Sequence, residues 1–527
     1  MPEVPASHPG RVELNVMMRQ KSIFIALIAS LLLAASNAGT SPEKVRQAGV
    51  AGAFYPANPD ELSKMVDGFL ATAQVPSINE PLLALIAPHA GYPYSGGVAG
   101  HSYALLKNRK FHRVVIIAPS HYEAFPFSAV YDGDAYATPL GRIPVDKTFA
   151  AALVAQSTSI RLSGRGHDRS GQQAEHSLEV QLPFLQRTIA QFQLVPIIMG
   201  DQSYEASRAL GVALAKLIHD SDTLIVASSD LSHYHPYDEA STIDHNTLRA
   251  IEVWDYFNLS RNLQTHVWEA CGGGPIVAAM IAAERLGANR AELLKYANSG
   301  DVTGDRSRVV GYSAFALYKA APTTSVARPF TLTPKEKQEL LSVARKSVEN
   351  AVRERKTYEP PAGSPILQQD RGAFVTITKN GELRGCIGYV SPMQPLIDTV
   401  RDVAALAALR DPRFPPVIPA ELGELQYAIS VLSPFRRVID IREIHVGQHG
   451  LLMKKGDHEG VLLPQVPAEA GWDRQTFLEQ TARKAGLPAS AWKDNDTDIF
   501  LFSALVFSEG KPPASITPEA SFPVKRP

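Results

Sequence analysis

The chain has 527 residues, with 52 basic and 53 acidic side chains, and its formal net charge at pH 7 is −1. One hydrophobic core seldom organises more than roughly 250–300 residues, so the length predicts at least two domains. The balanced charge and the absence of a dense lysine and arginine cluster argue against a nucleic-acid partner and against a membrane-surface patch. The hydrophobic content of 45 % is typical of an ordinary globular protein.

The N-terminal stretch has the pattern of an export signal. Arg19 and Lys21 precede the apolar residues 23–35, and Ser36-Asn37-Ala38 forms a small-residue cleavage site. Residues 1–38 are therefore predicted to be an upstream extension followed by a signal peptide cleaved near Ala38. The apolar run is too short to span a membrane comfortably. We expect an exported, periplasmic protein with no stable membrane span, or a cytoplasmic one if this segment is not a signal.

Residues 42–319 alternate between short apolar runs and helical patterns, which predicts an α/β domain. The predicted strands are 82–87, 114–118, 194–199, 224–227 and 309–317. The predicted helices are 60–70, 178–192, 204–219 and 276–286. Because the strands are almost continuous runs of Val, Ile, Leu and Ala, we expect a mainly parallel sheet with helices covering both faces.

A second, smaller domain is predicted over residues 333–509. Residues 320–332 are rich in Ala, Pro and Thr and are typical of a linker. Thr333-Pro334-Lys335-Glu336 then fits a helix-capping box and predicts a helix to about residue 355. The strand-like runs that follow predict an α+β domain with an antiparallel sheet. These runs are 373–378, 425–432, 460–463 and 499–507, and the proline-rich residues 510–527 are predicted to be a loose tail.

Histidines follow three of the predicted strands in the first domain. His89 follows the strand 82–87, His121 follows 114–118, and the segment from Ser228 to His233 follows 224–227. The carboxyl ends of parallel strands share one edge of a sheet, and ligand clefts form there. For any single histidine a packing role is the better interpretation. For the three strand ends together, we predict a shared site.

Cys271 lies in the glycine-rich segment Glu269-Ala270-Cys271-Gly272-Gly273-Gly274, directly before the predicted helix 276–286. Glycines allow the backbone to approach a ligand closely, and a helix N-terminus lowers the pKa of a thiol, which favours the thiolate that binds metals. The alternative is a small buried cysteine with a packing role only.

Six segments in the same order resemble the Memo family over essentially all of residues 46–319. They are Ala51-Gly52-Ala53-Phe54-Tyr55-Pro56, Pro88-His89-Ala90-Gly91-Tyr92, Pro119-Ser120-His121, Glu175-His176-Ser177-Leu178-Glu179, Ser228-Ser229-Asp230 with His233, and the Cys271 loop. That family resembles the class III extradiol dioxygenases in fold. The resemblance implies His89, His121 and Cys271 as metal ligands. It also implies that Asp230 and His233 line the pocket. His233 would occupy the position where the dioxygenases have an acid/base histidine.

Two imidazoles and a thiolate leave a coordination position open, as in catalytic metal sites. The thiolate softens the site and shifts its preference toward copper or zinc without excluding iron. For an oxidoreductase, copper or iron is favoured, and zinc is the alternative. Glu175, His176 and Glu179 could support the ligands from behind, because Glu175 and Glu179 are one helical turn apart. A solvated start of a helix explains the same residues equally well.

The second domain resembles the AMMECR family. The resemblance rests on Arg371-Gly372-Ala373-Phe374, Leu383-Arg384-Gly385-Cys386-Ile387-Gly388 and Asp411-Pro412-Arg413-Phe414. A Memo domain joined to an AMMECR domain is similar to the AmmeMemoRadiSam system, which implies a functional link to a radical-SAM protein. Cys386 could be a reactive thiol beside Arg384, but the same letters fit a buried cysteine in a strand turn, which we favour.

The sequence therefore predicts a metal-dependent oxidoreductase, dioxygenase-like or copper-redox in type, that acts on an unidentified small molecule. Two alternatives stay open. One is a non-catalytic metal- or peptide-binding module, because fold does not determine activity. The other is a zinc hydrolase in which Asp230 or His233 acts as a base.

Overall fold

The computed structural model describes residues 43–168, 174–321 and 330–509. The predicted signal peptide and C-terminal tail lie outside the described residues, as does most of the predicted linker. Within the described ranges, no helix is both long and apolar enough to cross a membrane. The described residues from Arg46 onward pack as one unit.

The first half of the chain alternates between helices and strands. Its strands are β1 (Val45–Arg46), β2 (Leu82–Ala87), β3 (Arg113–Pro119), β4 (Ser128–Val130), β5 (Ala135–Thr138), β6 (Gly141–Pro144), β7 (Ile160–Leu162), β8 (Gln193–Met199), β9 (Thr223–Ser228), β10 (His233–His235), β11 (Arg290–Asn298) and β12 (Val309–Tyr318). Its helices are α1 (Pro59–Thr72), α2 (Tyr92–Ala104), α3 (Lys147–Val154), α4 (Leu182–Thr188), α5 (Tyr204–Leu217), α6 (Tyr237–Glu252), α7 (Tyr256–Gln264), α8 (Gly273–Arg285) and α9 (Ser299–Thr303).

The main sheet of this half is mixed rather than mainly parallel. Its strand order is β10-β12-β2-β9-β3-β8-β4-β7, with β11 paired to β12. The central strands β2, β9, β3 and β8 are parallel to one another. The additional strands β10, β11 and β12 pair antiparallel on one side, and β4 pairs antiparallel with β8 on the other. The edge strand β7 pairs parallel with β4. The prediction therefore holds for the centre of the sheet and is wrong for the β10-β12-β2 side, for β11 and for the β4–β8 pairing.

Both faces of the central strands are buried, which explains their near-continuous apolar sequences. Ala84 and Ile86 of β2 belong to one hydrophobic core, and Leu85 and Ala87 belong to another. Side chains alternate between the two faces of a strand, so one strand contributes to both cores. Burial of each large aliphatic side chain stabilises the fold by roughly 1.5–3 kcal/mol. This centre is a rigid base for the loops that follow the strands.

The predicted helix over residues 178–192 is wrong in extent. The structure has a 3₁₀ turn at Glu179–Gln181, followed by α4 at Leu182–Thr188. Pro183 occupies the first turn of α4, where its missing N–H costs little. The chain then becomes extended before β8 begins at Gln193. The segment is therefore a short helical connection with Glu179 at its start.

The second half forms a separate antiparallel sheet, as predicted. Its strands are β13 (Ala373–Lys379), β14 (Glu382–Tyr389), β15 (Leu425–Leu432), β16 (Arg436–Arg437), β17 (His449–Lys455), β18 (His458–Leu462) and β19 (Asp498–Ser508). The order β14-β13-β15-β19-β17-β18, with β16 on β19, is antiparallel at every pairing. Its helices are α10 (Pro334–Arg353), α11 (Leu396–Leu409), α12 (Gln465–Glu469) and α13 (Arg474–Lys484). The capping box at Thr333 and Glu336 is confirmed.

The two halves share one hydrophobic core. Ile281 and Phe257 of the first half belong to the same buried cluster as Phe435 and Phe500 of the second half. Phe257 and Phe500 are in ring contact, with centroids 5.0 Å apart. The charged Asp498 accepts hydrogen bonds across this boundary from Tyr204 and Arg208. Because apolar burial and charge pairing both cross the boundary, the second domain is a packed extension of the first.

Candidate metal centre

Three potential metal ligands converge at the carboxyl ends of adjacent strands. His89 follows β2 and His121 follows β3, and these strands flank β9 in the sheet. Cys271 comes from the loop before α8, and its Sγ lies 3.0 Å from Nε2 of His89. The ring centroids of His89 and His121 are 5.1 Å apart. One ligand atom of each of the three residues lies within 4.8 Å of the other two. The predicted strand-edge arrangement therefore brings the three residues together.

The Cys271 loop is held against β9 by close backbone contacts. A Cβ atom on Gly272 would lie 2.1 Å from the carbonyl oxygen of Ser228, so only glycine fits at this position. Gly272 N–H donates to Oγ of Ser229 at 2.9 Å. Gln202 also fixes the loop, since its Nε2 donates to the Cys271 carbonyl and its Oε1 accepts from Gly274 N–H, both at 2.9 Å. These contacts place the thiol over the strand end.

Hydrogen bonds behind His89 determine which of its nitrogens carries the proton. Nδ1 of His89 lies 2.9 Å from Oγ of Ser228. The single hydroxyl proton of Ser228 is already donated to the Ser177 carbonyl, and the same oxygen accepts from Nε2 of Gln181. Ser228 must therefore accept from His89, which places the proton on Nδ1. The lone pair on Nε2 of His89 is left for a metal beside Cys271.

Glu175 fixes His121 in the same way. Its Oε1 lies 2.9 Å from Nδ1 of His121, and its Oε2 accepts from the backbone N–H of His121 at 2.7 Å. Burial alone would raise the pKa of Glu175, but these hydrogen bonds and one from the backbone of Ser177 outweigh it and lower the pKa to about 2. An ionised carboxylate can only accept, so Nδ1 of His121 donates, and in the neutral ring Nε2 is the nitrogen with the free lone pair.

The pKa values of the other groups complete this arrangement. Burial, and then the neighbouring His121, lowers the pKa of His89 well below its usual value, so its imidazole is neutral near pH 7. Burial, and then the nearby Asp230, raises the pKa of the Cys271 thiol. The helix N-terminus was expected to favour the thiolate. That expectation is wrong for the metal-free protein, because desolvation disfavours the charged form. A bound cation would supply the charge that stabilises the thiolate.

Asp230 and His233 lie beside the three potential ligands. Oδ1 of Asp230 accepts from the backbone N–H groups of His89 and Ala90, and Oδ2 lies 3.9 Å from Nε2 of His89. Burial raises the pKa of Asp230 against the lowering effect of the hydrogen bond from His89 N–H. Nδ1 of His233 lies 2.8 Å from the carbonyl of Leu231, which can only accept, so Nε2 of His233 is unprotonated in the neutral ring.

The three residues predicted to support the ligands have different positions. Glu175 contacts His121 directly, and His176 stacks on the His121 ring at 4.7 Å between centroids. Burial, and then repulsion from His89, lowers the pKa of His176 to about 3. Glu179 instead accepts from Arg46, Tyr55 and two backbone N–H groups in a fully buried cluster. It is neither a partner of a ligand nor a solvated residue; it anchors the N-terminal segment of this unit.

A cavity of about 430 Å³ opens beside the candidate metal centre. Cys271 and His233 line it, together with Glu269, Trp268 and His266. No sequence pattern assigns a role to His266, Gln202 or Gln181, and Ser228 stands out in the sequence only as part of the Ser228-Ser229-Asp230 motif. A glutamine or serine has no sequence signal that separates a supporting role from a packing role. Their roles follow from hydrogen bonds between residues far apart in the chain.

Comparison with known proteins gives matches over both halves of the chain. The sequence profile of Memo-like proteins matches residues 46–316, and the AMMECR1 profile matches residues 341–507. A MEMO1 family protein of Methanopyrus kandleri is 38 % identical over 283 residues, which cover 52 % of this chain and 98 % of the relative. A MEMO1 family protein of Methanosarcina barkeri is 39 % identical over 276 residues, covering 52 % of this chain and 100 % of the relative. The crystal structure of an uncharacterized protein from Pyrococcus horikoshii is 38 % identical and covers 35 % of this chain and 96 % of its own, with a TM-score of 0.33.

Proposed function

This chain belongs to the Memo family, and an AMMECR1 domain follows its Memo domain. We propose that the protein uses one metal ion, held by His89, His121 and Cys271, to oxidise a small molecule. The observation that carries this proposal is the set of three donors beside an open cavity of about 430 Å³. Three protein ligands leave a coordination position for a substrate, whereas a structural metal site is normally closed by four.

The donor set suits copper or iron, with zinc as the alternative. Imidazole and thiolate donors are preferred by these metals over magnesium or calcium, which prefer oxygen. In their neutral forms both imidazoles present Nε2 as the lone-pair nitrogen, because Ser228 and Glu175 accept the Nδ1 protons. A bound redox metal would supply the one-electron chemistry that amino-acid side chains lack.

The surrounding residues would bind and position the substrate and handle its protons. Asp230 holds the His89 backbone and keeps a carboxylate beside the ligands. His233 lines the cavity, and in its neutral ring Nε2 can accept a proton from a hydroxyl or amino group of the substrate. Glu269 accepts from the backbone N–H of His233 at 3.2 Å, which fixes the start of β10. These groups can serve general acid–base chemistry next to the metal.

Metal analysis tests this proposal. Protein purified without oxygen should contain about one metal ion per chain, and His121→Ala should lose it. His112→Ala is the matched control, because His112 is 48 % exposed and lies outside the site. Bound copper or iron, together with oxygen consumption on a panel of small phenols and thiols that stops in His121→Ala, would support an oxidoreductase. Zinc with ester or amide hydrolysis would instead indicate a hydrolase, and metal without turnover would indicate a binding module. Equal metal content in both variants would contradict the proposed site.

A further inference from the structure

A second cavity, of about 40 Å³, lies between the two domains. One water molecule needs a cavity of roughly 10–15 Å³, so this cavity can hold a few water molecules or one small molecule. The first domain contributes α6, α7 and Trp268, and the second contributes the segment around Arg371. Its polar lining residues include Asn246, Asp255, Asn258, Trp268, Asp370 and Arg371. Charged groups from both domains therefore meet around one small space.

Arg371 is a buried cation with incomplete hydrogen bonding. The residue is 3 % exposed, and its guanidinium lies 4.1 Å from the centroid of the Phe330 ring. One terminal nitrogen, Nη2, donates to Oε1 of Gln369 at a long 3.3 Å. The buried Nε has no hydrogen-bond partner among the described residues. A buried N–H of a charged group without an acceptor is costly, and a carboxylate is the acceptor that fits a guanidinium best.

The two carboxylates that line the cavity are engaged by neutral donors. Asp255 accepts from the backbone N–H and Nδ2 of Asn258 and from Phe435 N–H. Asp370 accepts at Oδ2 from Nδ2 of Asn246 at 2.9 Å and from the indole N–H of Trp268 at 3.1 Å. Burial raises the pKa of both carboxyl groups to about 6. Neither one forms a salt bridge with Arg371, so the cavity keeps separate positive and negative groups.

Asn258 supplies an acceptor to the same cavity. Its Nδ2 donates to Asp255, and because a carboxylate only accepts, this contact fixes the orientation of the amide. The buried Oδ1 therefore faces away from Asp255 and has no hydrogen-bond partner within the described ranges. The residue is 2 % exposed. The lining thus combines the guanidinium groups of Arg249 and Arg371, of which Arg371 keeps an unsatisfied donor, with an unsatisfied neutral acceptor and two carboxylates.

We propose that this interdomain cavity binds a small α-amino acid of the size of glycine or alanine, whose carboxylate pairs with Arg371 and whose ammonium group donates to Asn258 and Asp370. A zwitterion matches the lining better than a simple anion, because Asp255 and Asp370 would repel an unaccompanied negative charge. It also matches better than a simple cation, which would leave Nε of Arg371 without an acceptor. The small volume excludes large side chains.

The site is distinct from the candidate metal centre, but one residue borders both. Trp268 lines this cavity and the larger one beside Cys271. Its indole N–H donates to Asp370 of the second domain, and Cys271 follows it in the same loop. A molecule bound in the interdomain cavity would therefore contact Trp268, which also lines the cavity beside the candidate metal centre. Amino-acid binding itself does not depend on the metal or on the proposed oxidation.

Isothermal titration of the full chain with single ligands tests the proposal. Glycine and alanine should bind at millimolar concentrations. Acetate, methylammonium and phenylalanine should each bind about tenfold or more weakly, because each lacks one charged partner or exceeds the cavity. No heat with glycine or alanine would overturn the proposal. Acetate binding as tightly as glycine would also overturn it and would identify a simple anion site.

Variants locate the binding. Arg371→Gln should weaken glycine binding by about tenfold or more, the loss expected for a hydrogen bond between charged groups. Arg442→Gln is the matched control, because Arg442 is 82 % exposed in the same domain, and it should leave the affinity unchanged. If Arg371→Gln does not fold, the nearly isosteric Asp370→Asn replaces it and should weaken glycine binding while acetate binding does not fall. Wild-type affinity in a folded variant of Arg371 or Asp370 would refute the assignment.

Discussion

The surroundings of the two cysteines differ completely although their local sequences are similar. Cys271 and Cys386 are both flanked by glycine. Cys271 lies 3.0 Å from a histidine nitrogen beside an open cavity. Cys386 is fully buried within β14, and its Sγ lies 3.2 Å from Oγ1 of Thr376. Among the described residues, it belongs to no cluster of potential metal ligands.

The difference shows that a cysteine next to glycine is not enough to bring potential metal ligands together. Burial raises the pKa of both thiols, that of Cys386 to about 12. Cys271 differs because two imidazoles lie near it. They belong to His89 and His121, which follow β2 and β3 and are far from Cys271 in the sequence. Cys386 instead has Asp411, which accepts from its backbone N–H and pairs with Arg413. The Cys386 cluster pairs its charges internally and serves the fold.

Replacement of each cysteine by serine should give the largest contrast. We expect Cys271→Ser to weaken metal binding by more than about 100-fold, because loss of a ligand costs more than loss of a supporting residue. Cys386→Ser should leave the metal affinity unchanged and lower the stability, because a more polar hydroxyl replaces a buried thiol. Competition with a chelator measures the first effect and urea unfolding measures the second. Loss of metal in Cys386→Ser alone would reverse the comparison.

Glu175 and Glu179 show the same difference, since Glu175 contacts His121 of the candidate metal centre and Glu179 pairs with the buried Arg46. Glu179→Leu should lower the free energy of unfolding by about 3–5 kcal/mol, because it leaves Arg46 buried without its partner. Asp67→Ala is the control, since its pair with Arg187 is exposed and should contribute about 0–1 kcal/mol. Denaturant midpoints of the two variants give the comparison. Similar losses in both would show that the Glu179 cluster does not anchor the fold.

Glu175→Gln should affect the metal rather than the fold. A neutral amide oxygen accepts more weakly from Nδ1 of His121 than the carboxylate does, so the imidazole becomes a poorer ligand. We expect a decrease in metal affinity of about 10–100-fold, with the unfolding midpoint changed much less than in Glu179→Leu. An unchanged metal affinity would mean that His121 is not a ligand through Nε2.

Taken per pH unit, the pH dependence of metal binding should be the smallest of these effects. The raised pKa of Cys271 means that the metal-free protein keeps the thiol proton near neutral pH, and binding must release it. Affinity should therefore increase with pH, by about tenfold per unit between roughly pH 6 and 8. His89 adds no slope there, because its lowered pKa keeps it neutral. A pH-independent affinity would show that the thiolate is not bound.

Much of the fold could be predicted because buried strands have a clear sequence pattern. The predicted strand 82–87 agrees with β2 at both ends, and 425–432 agrees with β15. Helix α6 was not predicted, since polar residues such as Asp244 and Thr247 occupy its buried face and hide the apolar period. The edge strand β11 was also missed, because only Ala291 and Asn298 of its residues are buried. A helix that buries polar residues, or a strand held mainly by pairing with its neighbour, has no clear pattern of apolar residues in the local sequence.

The sequence by itself determined the central strands, the family and the positions of the histidines and Cys271, because these depend on local patterns and on order along the chain. Tertiary structure decided which nitrogen of each imidazole is free, through Ser228 and Glu175. It also decided that the pKa of the Cys271 thiol is raised and that Glu179 serves the scaffold. The physical reason is that hydrogen bonds and desolvation depend on distances between segments far apart in sequence, which only the folded chain fixes.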